Sequence, residues 1–104
     1  MARKVVWTDS AVEDLESIIQ FIARDSAAYA ATLAQAFCDA GDSLADFGDR
    51  GHRVRDRQLA DFRELLVGRY RLVYRAEQER VLIVGVFHGS RQIRKLLRGR
   101  RARK

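Results

Sequence analysis

The sequence predicts a single α+β domain in the order β-α-α-β-β-β: a helical hairpin packed on a small, mostly antiparallel twisted sheet, closed by a short C-terminal helix. Three observations predict it. Residues 62–91, FRELLVGRYRLVYRAEQERVLIVGVFHGSR, alternate side-chain character with a period of two and break at Gly68-Arg69 and at 76–79, the pattern of three antiparallel strands joined by tight turns. Residues 11–22 and 30–47 repeat apolar residues at steps of three and four, which is one face of a helix. A β-branched and aromatic run from Lys4 to Thr8 precedes the helices and offers the sheet a further strand. Residues 1–97 are expected to form the domain and 98–104 a basic tail.

At 104 residues the chain has room for one modest core. Hydrophobic residues make up 47% of it, too many for a disordered chain. No run approaches the roughly 18 apolar residues of a membrane span. The opening Met-Ala-Arg-Lys leads straight into Val5-Val6-Trp7, without the apolar stretch of a signal peptide. A cytoplasmic protein with no membrane partner is expected.

After the first strand, Thr8, Asp9 and Ser10 offer helix caps, and Ser10 with Glu13 has the spacing of a capping box. Ala11, Leu15, Ile18 and Ile22 follow at steps of four, three and four, with Glu13, Glu16, Ser17 and Gln20 turned away. This makes an amphipathic helix ending near Arg24. Asp25 and Ser26 break and recap the chain, and Ala30, Leu33, Phe37, Ala40, Leu44 and Phe47 carry a second helix. Gly41 weakens it by about 1 kcal/mol if exposed. The link is so short that the two helices must pack antiparallel, with their apolar seam on the sheet. Residues 48–61, GDRGHRVRDRQLAD, read as a charged loop in which Arg50, His52, Arg53, Arg55 and Arg57 crowd together and Asp49 and Asp56 partly neutralise them. A solvated surface and a nucleic-acid contact are both open readings of it.

In the sheet, Phe62, Glu64 and Leu66 alternate with Arg63, Leu65 and Val67, and Tyr70, Leu72 and Tyr74 alternate with Arg71, Val73 and Arg75. Gly68-Arg69 suits a type II′ turn, whose first central residue needs a positive φ. Arg63, Arg71 and Arg75 are expected to share one surface, an aligned row of like charge that asks for an external contact. The competing reading pairs Arg63 and Arg71 with Glu64, Asp61 or helix acids, and puts Tyr70 and Tyr74 in the core. Residues 80–88 are apolar on both faces, as in a central strand. Gly89 and Ser90 then turn the chain, and residues 91–98 place Ile93, Leu96 and Leu97 at helical spacing. So short a helix, below ~12 residues, rarely offsets its own nucleation, so it must dock on the sheet or on a partner.

The formal net charge is +6, yet seven of the last eleven residues, RKLLRGRRARK, are Lys or Arg, leaving 13 basic against 14 acidic residues elsewhere. Such a tail suits an acidic partner or a nucleic-acid phosphate, or is a frayed and solubilising end. Cys38 stands alone at a helical position and reads as structural. His52 and His88 have no Cys or His neighbour at ligand spacing, and there is no Gly-rich phosphate loop. No metal and no cofactor are expected.

The element order, Trp7-Thr8 at the first helix, Asp14-Leu15, Arg63-Glu64, Tyr70-Arg71-Leu72-Val73-Tyr74-Arg75 and the ending Val86-Phe87-His88-Gly89-Ser90-Arg91 together resemble the RelE/ParE superfamily of type II toxins, from about Val5 to Leu97. One departure is the absence of proline, where relatives often carry one in the helix-helix turn and before the loop glycine; Ala27 and Gly48 stand there. The resemblance implies a small toxin, as in plasmid stabilisation, encoded beside an antitoxin that wraps an extended and helical segment across it in a hetero-oligomer. Ile93, Leu96, Leu97 and Arg98 are the expected antitoxin contacts. The Val-Phe-His-Gly-Ser-Arg ending, the long second helix and the loop are closer to the ParE-like branch, which implies inhibition of DNA gyrase by binding, with Arg53, Arg55, Arg63, Arg71, Arg75, His88 and Arg91 as contacts. The RelE-like alternative implies a metal-independent endoribonuclease acting on mRNA at the ribosome. Arg63, Arg71, His88 and Arg91 would then serve the transition state and Glu64 would be a weaker base. The three-strand stretch lacks the lysines, and its end the tyrosine, of that branch. For His88 a structural role, closing the strand by donating to a carbonyl, stands beside both. A third reading keeps the fold and the antitoxin and drops the toxicity.

Overall fold

Each helix of the N-terminal half begins at a hydroxyl cap. In the computed structural model, which describes residues 2–89 and 93–101, strand β1 (Lys4–Trp7) runs into helix α1 (Asp9–Ala23), whose first turn is capped by Thr8, its side chain accepting from the Ala11 N–H at 3.1 Å. Thr8 therefore takes the role expected of the Ser10–Glu13 box, and Ser10 lies inside the helix. Helix α2 (Ala27–Ser43) is capped by Ser26, which accepts from Tyr29 N–H at 3.0 Å. It ends four residues before Phe47, which is 62% exposed rather than part of the apolar seam. Gly41 is no weak exposed point: a Cβ there would sit 3.0 Å from the Trp7 indole, so the missing side chain lets α2 settle on β1.

The charged loop contains a strand that the sequence did not reveal. Strand β2 (His52–Arg53) pairs with β3 (Phe62–Val67), and a 3-10 turn (Arg57–Leu59) drops Leu59 into the core. Strands β4 (Tyr70–Ala76) and β5 (Arg80–His88) complete a five-stranded sheet of order β1-β5-β4-β3-β2, antiparallel except for the parallel pair β1–β5. Gly68 has φ 59° and, among the described residues, no non-glycine residue has a positive φ, which fits the type II′ turn with Arg69 in its second place. Helix α3 (Arg94–Arg101) follows. The expected start of that helix, Arg91, lies with Ser90 outside the described residues.

The sheet is covered on both faces. The hairpin closes one, where Leu33, Phe37 and Leu44 meet Leu72, Tyr74 and Ile83. Helix α3 closes part of the other, where Ile93 and Leu97 meet Phe62, Val73, Leu82, Val84 and Phe87. This double cover is why Val81–Phe87 is buried throughout and shows no alternation. A register shift between Val73 and Tyr74 opposes them to Gly85 and Ile83, leaving Val84 as an extra residue. Among the described residues, no helix is long and apolar enough to cross a membrane.

The bulge depends on Gly85, where a Cβ would lie 2.5 Å from the Phe87 ring and 2.6 Å from the Arg100 guanidinium. Gly85→Ala is therefore expected to destabilise the fold by about 1–3 kcal/mol, read as a lower urea midpoint. Gly99→Ala, whose Cβ meets nothing within 4 Å, should instead be neutral or raise stability by up to about 1 kcal/mol.

Candidate functional site

Register decides where each arginine points. A two-residue turn pairs Val67 with Tyr70, and the ladder continues Leu66–Arg71, Leu65–Leu72, Glu64–Val73, Arg63–Tyr74 and Phe62–Arg75. Paired residues share a face. Arg63 thus stands with Tyr74 on the hairpin side, while Arg71 and Arg75 stand with Phe62 and Val73 on the outer side, the face that α3 partly covers. The expected row of three arginines on one surface is not formed. His88 pairs with Tyr70 and so also faces the hairpin side, away from Arg71. Its ring meets Tyr70 edge-on with centroids 5.4 Å apart, and Tyr70 meets Phe37 in the same way at 5.9 Å. Arg91 lies outside the described residues.

On the outer face the cations are compensated. Arg71 reaches Glu64 at 3.4 Å, and Glu64 on its other oxygen faces His52 Nε2 at 3.4 Å. Arg75 donates to Glu77 at 2.7 Å and lies 3.8 Å from Asp61. The hydrogen bond from Arg80 lowers the Glu77 carboxyl below its usual pKa, Arg75 adds to the lowering, and partial desolvation opposes it. The side chains of Arg71 and Arg75 are only 19% and 16% exposed. Leu66, in the same row, is 60% exposed beside them. This surface is a near-neutral, part-apolar patch.

The basic C-terminal segment is held in the same way. Ile93 and Leu97 are buried, Leu96 is half-buried, and Arg98 donates to Asp56 at 3.0 Å, with Arg94 3.9 Å from the same carboxylate. The expected antitoxin contacts therefore dock on this chain's own sheet. At the far end Arg100 grips both oxygens of Asp14 and donates to the Val84 carbonyl at 3.2 Å, while Asp14 accepts from Val86 N–H at 3.0 Å. Sequence reasoning did not find this clamp. Its signal was available: Asp14 falls between Ala11 and Ile18 on the apolar stripe of α1, where a carboxylate needs a partner.

Arg63 is anchored differently, its NH1 donating to the carbonyls of Gly51 at 2.7 Å and Asp49 at 3.3 Å. Gly51 N–H donates to the Tyr74 hydroxyl at 2.8 Å, and burial raises the Tyr74 pKa. Arg53, opposite Arg63 in the ladder, is exposed, and both border a cleft of about 670 Å³. Arg55 is exposed, its carbonyl accepting from Arg94 at 3.3 Å. Among the described residues, no three His, Cys, Asp or Glu side chains are grouped so as to hold a metal ion.

Residues 5–93 match the family described as the ParE toxin of the type II toxin–antitoxin system parDE. Among solved structures, the chain is similar to one from the chromosomal ParDE toxin–antitoxin system of P. aeruginosa, with TM-score 0.69 and 16% identity over 84% of this chain and 96% of that one. It is also similar to one from the toxin–antitoxin complex RelBE2 of Mycobacterium tuberculosis, with TM-score 0.64 and 25% identity over 85% of this chain and 99% of that one. None of the curated proteins matches it.

The clamp and the buried phenol each lead to a measurement. Asp14→Ala leaves the Val86 N–H and the Arg100 guanidinium without their shared acceptor, and a loss of about 1–3 kcal/mol is expected, with faster proteolysis within α3. For Tyr74 the fold favours the neutral phenol. Its contribution is fully present below the unfolded-chain value of about 10 and is lost as pH rises from there through the higher folded value. Tyr74→Phe should flatten that alkaline loss, measured by denaturation at a series of pH values.

Proposed function

The chain belongs to the ParE toxin family of type II toxin–antitoxin systems, and from that premise we propose that it inhibits DNA gyrase by binding and is kept inactive by a cognate antitoxin. The observation that carries the choice is the compensation of the outer face. Cleavage of RNA by an adjacent 2′-hydroxyl needs cations disposed around one phosphate and a proton acceptor within reach. Arg71 and Arg75 are committed to Glu64, Glu77 and Asp61, and Arg63 and His88 stand on the opposite face. Binding asks only for complementary surface. The exposed Leu66 beside a neutral charge network, with Arg55 and His88 exposed elsewhere, supplies contacts of that kind.

The antitoxin has two ways to engage this chain. Its acidic side chains can compete for Arg94, Arg98 and Arg100, and an apolar helix can take the place that Ile93, Leu96 and Leu97 hold on the outer face. The pairs formed between its acids and these arginines lie at the surface and are screened by ions, so antitoxin affinity is expected to fall with added salt.

Purified protein added to gyrase is expected to stop supercoiling, with Leu66→Glu reducing the inhibition at least tenfold while antitoxin binding persists. Added to translating ribosomes it should leave mRNA intact. The nuclease reading, to which the similarity with the RelBE2 complex gives some ground, instead predicts cut mRNA and loss of cutting in Arg71→Ala. Neither effect, in a protein that still binds its antitoxin, would mark a chain that has kept the partner and lost the toxicity.

A further inference from the structure

We propose that the cleft at the β2–β3 end of the sheet, on the hairpin side, is a binding site for a single phosphate group carried by a nucleotide or a nucleic-acid strand. The cleft, of about 670 Å³, is lined by arginines from three separate segments: Arg3 before β1, Arg53 on β2 and Arg63 on β3. Its volume falls within the roughly 300–1,000 Å³ of small-molecule sites. None of the three has a carboxylate oxygen within 4.0 Å among the described residues, in contrast to Arg71, Arg75, Arg80, Arg94, Arg98 and Arg100, which are all paired.

Two of these cations are set against each other. Arg53 and Arg63 are direct cross-strand partners, an arrangement in which like charges destabilise the pair. A bound anion turns that repulsion into shared attraction. Arg63 is also preorganised: its NH1 is fixed by the Gly51 and Asp49 carbonyls, which leaves the rest of the planar fork for a ligand, and Tyr74 fixes Gly51 in turn. Arg3 is held from the other side. Its backbone N–H donates to Ala45 at 2.8 Å, and its guanidinium lies where a Cβ on Gly48 would be. Guanidinium forks matched to an oxyanion are the usual reason for arginine rather than lysine in such a place.

Asp46, Asp49 and Asp61 line the same cleft. They repel a rigidly spaced run of phosphates, so the site does not suit the flank of a duplex. They do suit a ligand with one phosphate among hydrogen-bond donors, as the hydroxyls and amino groups of a nucleotide unit provide. The site lies across the sheet from the surface proposed to meet gyrase, so either reading can fail without the other.

The test is calorimetric titration of the full chain with a nucleoside 5′-monophosphate, the matching phosphate-free nucleoside, inorganic phosphate and a short single-stranded oligonucleotide. The monophosphate is expected to bind saturably at millimolar concentration or below, the free nucleoside not to bind, and Arg53→Glu to weaken binding at least tenfold. Arg53 is exposed at the sheet edge, so this variant keeps the test valid where Arg63→Ala loosens the loop. Arg57→Glu, with the same charge change outside the cleft, should alter affinity less than threefold. An oligonucleotide tighter than the monophosphate assigns the phosphate to a strand, and a weaker or equal one to a free nucleotide. Equal binding of the free nucleoside, indifference to Arg53→Glu, or no saturable binding by any of the phosphates overturns the proposal.

Discussion

The structure depends on how the open half of β5 is closed. Strand β1 pairs only with Arg80–Ile83, because α1 starts two residues after Trp7 and carries the chain off the sheet. From Val84 onward β5 therefore has one side with no neighbouring strand among the described residues, and backbone groups in a buried position need partners. Asp14 from the hairpin side accepts from the Val86 N–H, Arg100 from the opposite side donates to the Val84 carbonyl, and the two side chains bind each other around the edge. One ion pair thereby joins all three layers. It is only one-fifth exposed, so solvent screens it less than a surface pair and removing one partner costs more than the pair contributes.

The elements were legible because their signals are local. Hydroxyls before apolar stripes gave both N-terminal helices, Gly68 gave the tight turn, and the run from Val81 to Phe87 gave a strand covered on both sides. What failed was the step from strand to sheet. Alternation divides each strand into two faces, but which faces meet across a turn is set by the number of residues in the turn and not by their charge. A two-residue turn makes Val67 and Tyr70 partners, and four residues back from Val67 brings Arg63 to the Tyr70 side. Parity alone excluded the shared arginine surface. The two-residue β2 was invisible for a different reason: its residues are polar and exposed, and only the adjacent β3 makes them a strand.

Charge behaves similarly. The excess of seven cations in the last eleven residues looked like a feature separate from the fold, since acids and bases balance elsewhere. Within α3 the charges are in fact part of the docking: Arg94 and Arg98 flank Asp56, and Arg100 meets Asp14, while Ile93 and Leu97 enter the core between them. A helix of eight residues is too short to persist by itself. Its apolar face and its arginines stabilise it together, and each acid that holds it comes from far away in sequence.

The toxin family assignment survives the loss of the arginine surface because the two rest on different physics. Family membership follows the apolar pattern that builds a hairpin, a sheet and a closing helix, and this pattern is unaffected by where a guanidinium points. A phosphate-cleaving site would need charge concentrated on one face without internal neutralisation. In this chain Glu64 stands between His52 and Arg71, and Glu77 between Arg75 and Arg80, so the field of these arginines is already directed at a neighbour. Arg3, Arg53 and Arg63, which border the cleft, stand away from this network at the other face and the far edge. The two faces of the sheet thus differ in kind: on the outer one cations alternate with acids beside the exposed Leu66, and on the other Arg53 and Arg63 stand directly opposite each other.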